Sequence, residues 1–222
     1  MPVSNPASAR PASARPVSGR RAEAARNDEK ILAAARRVFV RQPDAPVAEV
    51  AKEAGVGISA LYRRYPSKEA LLQTLCREGL HEFIRIAQEA SACRSDPGEA
   101  FTTFLRGIID ADVHSLTVHL SGTFTPPADL PALAAEAGAL AAGLLSAAKS
   151  AGDVRADLDD SDLAMLFEQL SAINLGDAGR TQGLRRRYLQ LQLDALRPAA
   201  VTVPLPGRPP TPAELGARWQ PR

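Results

Sequence analysis

The stretch AEVAKEAGVGISALYRRYPSKEALL, residues 48–72, decides how this chain folds. Val50, Ala51 and Ala54, with Val47 just ahead of them, recur at the helical period, and the run stops at Gly55. Glycine takes the left-handed conformation that ends a helix at little steric cost, so Gly55-Val56-Gly57 reads as a tight turn. Ile58 to Tyr65 forms a third, short helix that Pro66 prevents from continuing. Two short helices joined by a glycine-containing turn fit a helix-turn-helix. Leu61 and Tyr65 share the face that packs, four residues apart. Ser59, Ala60, Arg63 and Arg64 are left facing outward. Small residues at the start of such a helix let it approach base edges, and arginines farther along reach phosphates. Ser67 is placed to cap the next helix, whose N-terminal dipole, with Lys68, favours a phosphate.

Upstream, Ile31, Ala35, Val38 and Phe39 predict a first helix over about 28–41. Pro43 and Pro46 bracket a short connection, and Pro46 or Val47 opens the second helix. Downstream the pattern stays helical. Asp96-Pro97-Gly98-Glu99 is a start signal, followed by Phe101, Phe104, Leu105 and Ile108 on one face. An Ala- and Leu-rich helix over 128–151 ends at Gly152. Asp159 caps a further helix that presents Leu163, Leu166, Phe167 and Leu170, and a last helix spans about 178–197. No alternating β-branched run is bounded by turn residues, so the expected fold is all-α.

Proline marks the limits of this fold: four of the 18 lie in residues 1–26 and seven in 198–222. The Pro, Ala, Ser and Arg of residues 1–26 predict a disordered basic arm, because they bury too little apolar surface to offset ordering. Residues 198–222 form a Pro-rich tail, in which Leu215 and Trp219 sit four apart and suit a short docked helix. Between the tails lie a helix-turn-helix domain over 27–75 and a helical domain over 76–197.

The net charge of +2 conceals an asymmetry. Residues 1–75 carry 13 Lys/Arg against 7 Asp/Glu, and residues 76–222 carry 14 against 18. A basic first third suits a polyanion. Within it the excess belongs mainly to the arginines of residues 1–26, so the helix-turn-helix itself is not broadly basic. No run approaches the ~18 apolar residues of a membrane span, so no membrane partner is expected. Cys76 and Cys93 cannot form a disulfide framework and suit a reducing cytoplasm. Nucleophile elbow, phosphate-binding glycine loop and metal cluster are all missing from the sequence, so neither an enzyme nor a cofactor nor a metal is expected.

Residues 48–72 also carry a resemblance. Ala51, Ala54-Gly55-Val56, Leu61-Tyr62, Tyr65, Ser67-Lys68 and Ala70-Leu71 resemble the N-terminal DNA-binding domain of the tetracycline-repressor (TetR) family over about residues 27–75. The resemblance implies that Tyr62 and Lys68 touch phosphates and that Ile58, Ser59, Ala60 and Arg64 lie at or near the groove of double-stranded DNA. It also implies a C-terminal domain that binds a small-molecule effector and forms a homodimer, so that two recognition helices read a palindromic operator. Two positions depart from the pattern. Pro46 stands where Ser or Thr often opens the second helix, which removes a phosphate contact. Ser59-Ala60 replaces a common Gly-Thr, and Ala60 keeps a methyl for thymine but no hydrogen bond.

Phe101, Phe104, Ile108, Phe124, Met165 and Phe167 are candidates to line the effector pocket, against the plain reading of each as core. His114, His119 and Gln169 are its candidate polar groups. Asp110 and His114, four apart, suit a shared hydrogen bond; a metal there would need a third ligand that no spacing supplies. Arg185-Arg186-Arg187 reads as a solvated helix face, with an acidic effector as the alternative. Cys76, among Leu71, Leu72, Leu75 and Leu80, reads as packed rather than as a redox sensor. The last helix has two apolar stripes, Leu184, Tyr188, Leu191 and Ala195, and Leu189, Leu193 and Leu196; one packs inward and the other meets a partner. The expected function is a repressor released when the effector swings the fourth helix. An activator of the same fold stays open, and a helical small-molecule binder without regulatory DNA binding is the rival.

Overall fold

A computed structural model describes residues 17–93, 95–120 and 122–217, and side chains throughout these except at 17–22, 24 and 117–119. All regular structure among the described residues is helical: α1 Val17–Arg41, α2 Val47–Ala54, α3 Ile58–Arg64, α4 Lys68–Ser91, α5 Pro97–Ala111, α6 Val113–Leu120, α7 Leu130–Ala151, α8 Asp160–Ser171, α9 Ala178–Leu196, a 3₁₀ turn Pro198–Ala200 and α10 Pro212–Ala217.

The punctuation read from the sequence is where the helices stop and start. Gly55 is left-handed at φ 65° and closes α2, while Pro66 follows α3. Ser67 accepts a hydrogen bond from the Ala70 amide at 3.0 Å and opens α4. Asp96 caps α5 through the Glu99 amide, and Gly152 ends α7 at φ 80°. Asp159 and Asp162 form a reciprocal capping box at the start of α8.

Four expectations need correction. Helix α1 begins at Val17, so residues 17–26 are helical where a disordered arm was expected. The segment RRAEAAR, residues 20–26, is rich in strong helix formers, and a helix already nucleated by residues 28–41 extends through it at little cost. The arm residues Arg10 and Arg15, like Trp219 at the other end, lie outside the described residues. Helix α6 has no counterpart in the sequence reading; Val113, Leu116 and Leu120 form its short buried stripe. Helix α7 is long and apolar enough to cross a membrane by length and composition alone. Glu136 and Lys149 interrupt it, and it packs through Ala137, Ala141, Leu144, Leu145 and Ala148 against the body. Finally, Arg185 is buried rather than solvated.

Two apolar cores result. One joins α1 to the start of α4: Ile31, Ala34, Ala35, Val38, Phe39, Val47, Val50, Ala51, Leu61, Tyr65, Leu71, Leu72 and Leu75. Leu116, Leu120, Phe124 and Leu130, from α6, its connection to α7 and the first residue of α7, belong to this same core. The other core lies among α4, α5, α7, α8 and α9 and centres on Phe101, Phe104, Ile108, Phe167 and Leu170. Helix α4 is common to both, and the expected division at residue 75 falls inside it.

The tail after α9 is held in place. The Arg155 amide donates to the Leu196 carbonyl at 2.9 Å, and Arg155 Nη2 donates to the Val203 carbonyl. The Leu205 amide donates to Asp157, whose carboxyl is held well below the usual range first by Arg155 and then by that amide.

Candidate nucleic-acid interface

Helix α3 is anchored from one side only. Leu61 has 0% of its surface exposed and Tyr65 3%, both locked into the head core beneath α1 and α2. Val56, in the turn, packs against the same core. This leaves Ile58, Ser59, Ala60, Tyr62, Arg63 and Arg64 on the outer surface, with Ile58 40% and Tyr62 46% exposed. Two exposed apolar side chains flanking two small ones, with Arg63 beyond, form a surface a major groove can accept.

The cations differ in their freedom. Arg64 Nε lies 2.8 and 2.7 Å from the two carboxylate oxygens of Asp28 on α1, and that bond raises the guanidinium pKa above its ordinary value. Its guanidinium carbon also sits 5.4 Å from the Tyr65 ring centroid. Lys68 is half-buried: Nζ donates to the Pro43 carbonyl at 2.9 Å and lies 5.2 Å from the Phe39 ring centroid. Only part of its donor set therefore faces outward. Pro46 precedes α2 without any side-chain cap, matching the loss of a hydroxyl there. The Asp28–Arg64 pair is invisible in the sequence, because the partners are 36 residues apart on separate helices.

The effector-pocket candidates do not form one cavity. Phe101, Phe104 and Ile108 are buried in the body core, and Phe104 packs edge-on against Phe83 and Phe167 at 5.4 and 6.1 Å between centroids. The His114 ring lies 5.5 Å from that of Phe167, and Met165 is half-buried on α8. Phe124 belongs to the head core instead. Gln169 is exposed and accepts from Gln192 at 3.4 Å. The side chain of His119 lies outside the described residues. Asp110 and His114 do not meet along a helix face: left-handed Asp112 breaks the helix between them, and Asp110 pairs with Arg186 at 2.6 Å. Two clefts open at the surface, one of about 400 Å³ between α4 and α5 and one of about 390 Å³ where Pro43 and Lys68 face residues 122–125. Of the expected pocket residues, only Phe124 borders either. Cys76 is partly buried and its thiol is pushed up to about 12 by that burial, which suits packing rather than reactivity.

On α9, Leu189, Leu193 and Leu196 pack inward as one stripe of the body core, and Leu184 is buried as well. Of the dimer-face candidates, Tyr188 and Leu191 stay outside, 46% and 56% exposed, with Leu175 nearby in sequence at 64%.

A small helix-turn-helix head with one outward helix, joined by a long shared helix to an all-helical body, defines a DNA-binding transcriptional regulator. The family model for bacterial regulatory proteins of the tetR family matches residues 31–75, and the model for the C-terminal domain of SbtR-like transcriptional regulators matches residues 96–198. The crystal structure of a TetR transcriptional regulator from Streptomyces coelicolor is 30% identical, with TM-score 0.55; the match covers 78% of this chain and 99% of that one. A TetR regulatory protein from Mycobacterium vanbaalenii is 28% identical over 80% of this chain and 98% of its own, also at TM-score 0.55. The curated proteins contain no match. The chain belongs to the TetR family of bacterial transcriptional regulators.

Proposed function

We propose that this regulator is a cytoplasmic homodimeric repressor that lays α3 of each subunit into a major groove of a palindromic operator and leaves it when a small molecule occupies the body. The observation that carries the reading is the one-sided burial of α3. Leu61 and Tyr65 fix the helix, and Ile58, Ser59, Ala60, Tyr62 and Arg63 are turned out as a group. Tyr62 and Lys68 serve phosphates, Lys68 with the donors left over from Pro43. Arg64 stays paired with Asp28 in the complex, and that pair withholds it from a nearby phosphate.

The exposed Tyr188 and Leu191 form the centre of the dimer face, because the opposite stripe of α9 is already used within the subunit. Two identical heads then face two half-sites related by a two-fold axis. The effector site lies at the aromatic group of α4, α5 and α8, where Phe104 meets Phe83 and Phe167, with Phe101 and Ile108 in the same core and His114 of α6 beside Phe167. A ligand there must part packed rings, and parting them moves α4, the helix that also carries the head. A regulator of the same fold from Mycobacterium smegmatis, 19% identical, was solved in complex with proflavine. The ligand weakens operator binding only through its preference for the moved state.

Selection of bound duplexes from a random library tests this reading. Enrichment of inverted half-sites, with release of the selected duplex by a compound from a small-molecule screen, is the expected result. Enrichment of a single unpaired site contradicts the dimer, and no enrichment contradicts operator recognition.

A further inference from the structure

Asp112 is the sole non-glycine residue with a left-handed backbone among the described residues, at φ 51°. It stands between α5 and α6, so its conformation alone separates two helices that would otherwise run on. Aspartate tolerates this region better than most residues, yet it stays there only where its surroundings hold it. Here they do. The carboxylate accepts from Arg185 Nη1 at 2.5 Å and from the Ser115 hydroxyl. Its carbonyl accepts from Arg36 Nη1, on α1 of the head, at 3.3 Å.

Arg185 is the other half of the arrangement. It is 5% exposed, and a buried guanidinium is tolerated only when its donors are matched. Besides Asp112 it donates Nη2 to the Ser171 carbonyl at 2.9 Å and Nε to the Ile173 carbonyl at 3.1 Å, closing the end of α8. One chain of polar contacts thus runs from α9 and the end of α8, through the α5–α6 corner, to α1.

We propose that Arg185, Asp112 and Arg36 form the joint that sets the angle of the head against the body, and that they are positioning residues for DNA binding. The corner is a two-state element. A return of Asp112 to the right-handed region continues α5 into α6 and lifts its carbonyl away from Arg36. His114, two residues farther on, sets its ring at a tilt beside that of Phe167, so a disturbance of the aromatic core reaches the corner directly. The consequence for DNA rests on the proposed role of α3; the joint itself does not.

The test uses the full chain carrying Cys93→Ser, with spin labels at Ala48→Cys on α2 and Ser146→Cys on α7, diluted with unlabelled protein. The expected result is one narrow distance in the parent, broadened by Asp112→Asn and by Arg36→Gln, with the double variant no broader than either single one. Asn keeps the tolerance for the left-handed backbone and removes the charge. Arg36→Gln leaves the Arg185 pair intact, so it reads the joint even if Asp112→Asn unfolds the body.

On DNA, each variant loses about tenfold in affinity for a two-half-site duplex, the effect of one charge-assisted hydrogen bond, while affinity for an isolated half-site is unchanged. A loss of stability alone would lower both. An unbroadened distance in Arg36→Gln overturns the joint. If the distances broaden while the parent selects no inverted repeat, the joint stands and the operator reading falls.

Discussion

Replacing Asp28 by Asn should strengthen binding to any duplex, by an amount that the Arg64 geometry fixes. In the free protein the two carboxylate oxygens hold Arg64 Nε at 2.7 and 2.8 Å, so a phosphate must compete with Asp28 for that guanidinium. Arg64 is 60% exposed as a side chain, and solvent screening limits such a pair to about 0.2–1 kcal/mol of folding stability. Asp28→Asn therefore costs little in melting temperature but releases one cation at the end of α3. Each phosphate newly neutralised steepens the plot of log Kobs against log salt by about 0.9. Fluorescence anisotropy with a non-specific duplex, titrated between about 50 and 200 mM salt, measures the slope. The slope should steepen by about 0.9 in Asp28→Asn and return to its starting value when Arg64→Ala is added. An unchanged slope in Asp28→Asn, or a steeper one that survives Arg64→Ala, refutes the reading that Asp28 withholds Arg64 from the phosphate backbone.

Three further outcomes follow from the body. A Cβ added at Gly107 would lie 2.7 Å from Ile86 Cγ2, where α4 and α5 approach closely, and the stiff β-branched side chain has little room to yield. Gly107→Ala should lose about 1–3 kcal/mol in urea unfolding, and Ile86→Ala in the same chain should recover part of it. At pH 8 an alkylating reagent should label the exposed Cys93 and leave Cys76, whose thiol is raised to about 12, so intact protein mass should show one adduct; rapid double labelling would contradict its burial. Glu82, bonded to Arg85, and Asp129, bonded to Arg77 across α4 and the start of α7, both have carboxyl pKa values below their ordinary 4.5 and 3.8. Their folded-state values are depressed, so their contribution is full above the ordinary values and is lost as pH falls below them and through the folded-state values. Melting temperature should drop as pH falls below the ordinary 4.5 and 3.8 of these two carboxyls, less steeply in Arg77→Met than in the parent.

The head was legible because its signals are local. Gly55, Pro66 and Ser67 each act on the backbone within a few residues, and the spacing of Leu61 and Tyr65 alone settles which face of α3 is buried. The caps at Asp96, Asp159 and Gly152 were legible for the same reason. What escaped the sequence depends on distant partners. Arg185 reads as one of three exposed arginines until Asp112, 73 residues earlier, and two carbonyls of the α8 end surround it. Arg64 reads as free until Asp28 is folded beside it. Helix α6 is short, and its stripe gains meaning only against α1 and α4 of the head. Phe101, Phe104 and Phe167 lie in a packed core, which their spacing could not distinguish from the lining of a cavity, and Phe124 went to the other core.

The proposed function puts the outer face of α3 against base edges. A photo-crosslinking residue in place of Ser59, with a second chain carrying it in place of Leu175 as control, probes that contact itself. On a selected duplex, Ser59 should crosslink to bases within each half-site and Leu175 should give none. Absence of base crosslinks from Ser59, or equal yield from both positions, contradicts the account.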